Sequence, residues 1–73
     1  MSHVKRHYKV IDAFSIRGST ALILDNKREE AVFGTNNILT EGNELIPYSL
    51  THNENTIIVK GNKSLIGQQI SFC

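Results

Sequence analysis

The stretch from Ala13 to Asp25, AFSIRGSTALILD, constrains this chain more than any other. It reads as two strands joined at Arg17-Gly18-Ser19. Gly18 is the natural turn residue, because without a Cβ it takes positive φ at no steric cost. Before the turn, Phe14 and Ile16 fall on one strand face and Ser15 and Arg17 on the other. After it, Thr20 to Leu24 is apolar nearly throughout. That is the pattern of a strand covered on both sides or lying inside a small barrel.

The flanking segments extend the β pattern. Tyr8, Val10, Phe14 and Ile16 share one parity, interrupted by Asp12, while Ile11 and Ala13 lie on the other. Two readings are open: a β-bulge near Asp12 resets the period of two, or Asp12 faces inward and accepts backbone N–H groups. Asp25-Asn26-Lys27-Arg28 is a turn, since Asp and Asn bond to their own backbone and tolerate the left-handed region. Glu30 to Phe33 is expected as a third strand with Val32 inward. A helix over Lys27 to Phe33 is its rival, and Gly34 stops either one. Thr35 to Asn43 reads as a loop around Ile38 and Leu39, one of which plugs an end of the core. Glu44 to Leu50 is a fourth strand, and Pro47, with no N–H to give, makes one side of it an edge or a bulge. Thr56 to Lys60, TIIVK, is the most β-branched run and a fifth strand. Ser64 to Gly67 is expected as a single helical turn (near residues 63–67) capped by Ser64. Gln69 to Cys73 closes the chain as a strand, with Ile70 and Phe72 inward.

Six short strands with turn signals roughly every ten residues define an all-β domain. The expected architecture is a six-stranded closed or partly open barrel over residues 7–73, after a flexible arm of residues 1–6. Closure suits a small chain because it removes strand edges. Phe14, Leu22, Ile58 or Val59, Ile70 and Phe72 are the expected core.

Composition narrows the chemistry. The 73 residues make one domain at most. For such a chain, conformational entropy of ~1.5 kcal/mol per residue nearly cancels apolar burial. One cysteine, Cys73, forms no intramolecular disulfide and reads as a strand end. Low cysteine usage fits a reducing compartment, so a cytoplasmic location is expected. Eight Lys and Arg against seven Asp and Glu leave a formal charge of +1, without the basic excess usual in nucleic-acid binders. No apolar run approaches the ~18 residues of a membrane-spanning helix, and MSHVKRHYKV lacks a cleavage pattern, so no signal peptide is expected.

His3, His7, His52 and Cys73 sit at no recognised ligand spacing, so neither metal nor cofactor is expected. Glu29 and Glu30 are adjacent and point to opposite faces of a strand, which does not suit acid–base work on one substrate. Cys73 with His52 is the only conceivable nucleophile and base. A non-enzymatic protein with no evident small-molecule substrate follows. For binding, Tyr48 beside Pro47 is either an anchor or a half-buried structural tyrosine. Arg17, Lys60 and Lys63 each flank a glycine-containing turn, and their convergence would make a small anion- or RNA-facing patch.

The order of segments AFSIRGSTALI, AVFG, NILTEGNELI and SLIGQQISF resembles the β-barrel that forms the second domain of translational GTPases. Phe14-Ser15-Ile16-Arg17-Gly18 matches that family's opening, and Thr20-Ala21-Leu22-Ile23 carries its strand. The segment Ile38 to Asn43 is similar to its turn, with Asn43 in place of Asp. The closing segment Gly67 to Phe72 is similar to its last strand. The second glycine of the first turn is missing, one residue is deleted there, and Asp25 to Glu30 is longer than in the family. The resemblance implies a barrel that contacts RNA or a ribonucleoprotein. It implies no nucleotide hydrolysis, since the chain has no phosphate-cradling glycine motif.

Two function classes follow. One is a protein-binding or assembly module, with a protein partner or a homodimer formed through the Glu44 to Leu50 face and Tyr48 near its centre. The other is an RNA- or ribonucleoprotein-contacting barrel. The near-neutral charge favours the first.

Overall fold

The computed structural model describes residues 7–27 and 34–73. Six strands follow in order: β1 (His7–Ile16), β2 (Ser19–Leu24), β3 (Asn37–Leu39), β4 (Leu45–Leu50), β5 (Thr56–Lys60) and β6 (Gln69–Phe72). Every pairing is antiparallel, and the order β1-β2-β5-β4-β3-β6 closes on itself into a barrel. The described residues contain no α-helix.

The first hairpin turns on two residues. Arg17 (φ 46°) and Gly18 (φ 81°) both occupy the left-handed region. This is the mirror-image turn whose twist matches that of its strands. Ser19 already pairs with Ile16 and belongs to β2. The interior is filled by Tyr8, Val10, Leu22, Leu24, Ile38, Ile46, Ile57, Val59, Leu65, Ile70 and Phe72. Tyr8 and Tyr48 both meet the Phe72 ring edge-on, with centroids 5.3 and 5.0 Å away.

Four expectations are corrected or refined. The bulge reading of Asp12 is realised: the β1–β2 register slips between Val10 and Asp12. Inside that step Val10 turns to the β5–β6 connection, giving its N–H to Gln68 O (2.9 Å) and accepting from Gly67 N (2.8 Å). Asp12 itself is exposed, and its Oδ1 accepts the neighbouring Ala13 N–H at 2.8 Å. The slip reverses the parity of everything after it. Ala13 therefore packs on the core, and Phe14, expected inside, is 50% exposed. Ile16 is exposed with it, and Ile58 faces outward while Val59 takes the core position.

The segment Thr35 to Asn43 is not all loop. Asn37–Leu39 pairs with β4 on one side and β6 on the other, and Ile38 is fully buried. The expected strand Glu30 to Phe33 lies outside the described residues, as does the arm of residues 1–6. The helical turn expected at residues 63–67 is instead a single β-turn, closed by Gln68 N–H to Leu65 O at 2.9 Å with Gly67 at φ 86°. A glycine in the left-handed region ends a turn and cannot continue a right-handed helix.

Candidate functional site

Pro47 organises the first part of the site. Tyr48 donates its N–H to Asn36 O at 3.4 Å, so the backbone groups of Tyr48 point toward β3. Alternation along a strand then turns the Pro47 nitrogen toward β5, where it has no hydrogen to give. The β4–β5 register accordingly starts at Tyr48↔Val59 and leaves Pro47 out, while Pro47 still stands opposite Asn37 on β3. β4 is thus no edge of the barrel, as the proline had suggested. It is flanked on both sides, and only its N-terminal half parts from β5.

Two depressions lie along this parting. One, of about 260 Å³, is lined by Glu44, Leu45, Ile46, Pro47, Lys60 and Lys63. The other, of about 290 Å³, is lined by Ser19, Pro47, Tyr48, Ser49, Ile58 and Lys60. They share Pro47 and Lys60. The structure therefore brings together four of the five residues singled out in the sequence: Pro47, Tyr48, Lys60 and Lys63.

Arg17 joins the same end of the barrel through backbone bonds. The Gly61 N–H donates to Gly18 O at 2.8 Å, tying the β1–β2 turn to the chain leaving β5. Buried Thr20 locks the same junction: its hydroxyl donates to Gly61 O (2.6 Å) and accepts the Lys63 N–H (2.9 Å). The positive charge is partly answered there, since Lys63 Nζ lies 3.0 Å from Glu44 Oε2. Among the described residues Lys60 has no carboxylate in ion-pair range.

Tyr48 is half-buried, its ring against Phe72 and its hydroxyl 2.7 Å from Thr35 Oγ1. That contact fixes the ring into the barrel wall, so Tyr48 offers the site an edge and no free side chain. Cys73 is exposed at the strand end, donating its N–H to Asn37 O at 2.9 Å. Among the described residues no three of His, Cys, Asp and Glu gather as a metal-binding group.

The second part of the site was not legible as such in the sequence. Directly opposed residues of an antiparallel pair point to the same face. Phe14, Ala21 and Ile58 oppose one another across β1, β2 and β5, and Ser49 continues the row on β4. Ile16, Ser19 and Lys60 form the next row, and Asp12, Ile23 and Thr56 the row on the other side. By alternation these positions face away from the core; Asp12, Phe14, Ile16, Ser49 and Lys60 are exposed, Ser19, Ile23 and Ile58 half-buried, and Thr56 buried. Ala21, at the centre of these rows, is only 1% exposed. Leu45, at 58% exposure, extends the apolar surface beside Pro47. The signal that could have found this face was Asp12, the polar residue marking the parity change.

No protein-family model, curated protein or solved structure matches this chain.

Proposed function

We propose that this barrel is a non-enzymatic protein-binding or assembly module that docks through the outer face of β1, β2, β5 and β4. The observation that carries the reading is the set of exposed apolar side chains Phe14, Ile16, Pro47 and Leu45, with half-buried Ile58 among them, on the outside of a barrel whose described interior is filled by other residues. Contiguous apolar faces rimmed by polar residues are what protein contacts use. Central aromatic and aliphatic anchors supply most of their affinity. The parting at Pro47 adds relief to the barrel wall.

The rival reading is an RNA- or ribonucleoprotein-contacting barrel. It is favoured by Arg17, Lys60 and Lys63 sharing one end of the barrel and by the resemblance to the second domain of translational GTPases. Against it stand the pairing of Lys63 with Glu44 and a net charge of +1.

The test compares the full-length chain with Phe14→Asp and Ile58→Asp. Both substitutions sit on the outer face and leave the core untouched. The expected result is an association, with another protein retained from an extract of the source cells or with the chain itself, that both variants lose. If no association depends on this face, the proposal fails. If instead the chain binds oligouridylate with an affinity falling steeply between 50 and 200 mM salt, as counterion release requires (range of order 10³-fold or more for six contacts, proportionately less for three), the RNA reading replaces it.

A further inference from the structure

The outer face of β1, β2 and β5 is a three-by-three array set by the two registers. Its rows are Asp12, Ile23, Thr56; then Phe14, Ala21, Ile58; then Ile16, Ser19, Lys60. Seven of these nine positions are uncharged. The two that carry charge, Asp12 and Lys60, occupy opposite corners, one acidic and one basic. Ala21, the smallest apolar side chain of the array, is at its centre. Among the described residues neither Asp12 nor Lys60 makes an ion pair with another side chain.

We infer that this face is occupied by a second copy of the chain, related by a two-fold axis lying in the face and passing over Ala21. The inference rests on the protein-binding reading above and supplies its partner. A two-fold interface places the same patch on both sides, so every attraction must be made by the patch with itself. An axis running across the other diagonal, from Ile16 toward Thr56, sets Asp12 of each copy against Lys60 of its partner and makes the contact twice. A partner of one charge would leave one corner unmatched. The same axis crosses the strands of the two sheets steeply, as in orthogonal sheet packing, and brings the Phe14 side chain of each copy toward β2 of its partner, between the Ala21 and Ser19 positions.

The array measures only about 10 by 14 Å between corner Cα atoms, from strand spacing and rise. Even with Pro47, Ser49 and Arg17 at its border, it falls short of the roughly 800 Å² per partner of a standard stable interface. The dimer is accordingly a weak one, populated at high-micromolar to millimolar concentration.

Sedimentation velocity on the full chain tests this with charge reversal. The wild type should form a dimer as concentration rises into that range. Asp12→Lys alone and Lys60→Asp alone should each self-associate about tenfold more weakly or worse, because each now opposes like charges twice. Mixed together they should recover a heterodimer, since Lys at position 12 meets Asp at position 60 and Asp12 meets Lys60. Should Asp12→Lys disturb the bulge, circular dichroism will show it. Asp12→Asn, which keeps the acceptor for Ala13 N–H, and Lys60→Met then replace the pair: each homodimer loses both ion pairs and should weaken, and their mixture, whose heterodimer keeps one Asp12–Lys60 contact, should recover part of the association.

A wild type that stays monomeric to millimolar concentration overturns the inference, as does undiminished association of the single variants or failure of the reversed pair to recover. A monomeric wild type that still retains another protein, lost in Ile58→Asp, would sink the second copy and leave the protein-binding reading standing.

Discussion

Truncating Phe14 and Phe72 separately probes the reversed parity of β1, because the primary pattern treats the two alike. A phenylalanine side chain offers roughly 200 Å² of apolar surface. At ~25 cal/mol per Å², Phe72, which is 7% exposed, contributes about 4–5 kcal/mol. It also holds the two edge-on contacts with Tyr8 and Tyr48, each of about 0.5–1.5 kcal/mol. Phe14, at 50% exposure, contributes about 2.5 kcal/mol at most on the same scale, and its removal opens no enclosed cavity. Phe72→Ala should therefore cost about 4–5 kcal/mol and Phe14→Ala about 2 kcal/mol. A domain of 73 residues carries roughly 4–11 kcal/mol in all. Phe72→Ala then approaches complete unfolding, while Phe14→Ala keeps a cooperative transition. Urea titration followed by far-ultraviolet circular dichroism reads both, with Phe72→Leu as a milder variant that remains folded. Equal losses at the two positions, or a larger loss at Phe14, would refute the outward placement of Phe14 and the bulge that causes it.

Two further outcomes test the junctions around the site. Thr20→Val keeps shape and apolar bulk but deprives Lys63 N–H and Gly61 O of their shared partner, so it should cost about 1–3 kcal/mol in urea titration, while Thr20→Ser should retain most of that stability. Tyr48→Phe removes the hydroxyl held 2.7 Å from Thr35 Oγ1 and should lower stability by about 0.5–1.5 kcal/mol, measured by the same titration. A wild-type midpoint in either Thr20→Val or Tyr48→Phe would show that the bond in question adds nothing.

The strands outside the first hairpin were legible to different degrees, and the reasons are physical. TIIVK at Thr56 to Lys60 announces a strand by β-branching alone, because branched side chains fit a pleated surface. β3 spans only Asn37–Leu39, too short for alternation to show, and exists because β4 and β6 both need a neighbour there. Ser64 to Gly67 carries a plausible cap for a helix, yet the backbone bonds of Gly67 and Gln68 to Val10 hold it as a turn. Local preference lost to a tertiary hydrogen-bond requirement. For the site, the glycine-containing turns beside Arg17 and Lys60 are tied by the backbone bond from Gly61 N–H to Gly18 O. What joins those turns, Thr20 at the second position of β2, carries no local mark of its role.

By itself, then, the sequence determined what short-range chemistry determines: most of the turns, the five longer strands, that Pro47 interrupts a ladder, and that a bulge near Asp12 was one way to settle a broken alternation. Only the tertiary structure decided which way each strand faces and what Pro47 interrupts. A side-chain period of two makes the inner and outer faces interchangeable by one residue. The choice was made by pairing Val10 with the β5–β6 turn and Ala13 with Leu22. That single step moved Phe14 from the expected core to the surface, where Ile16 is exposed with it, and created the face on which the function proposed for this protein rests.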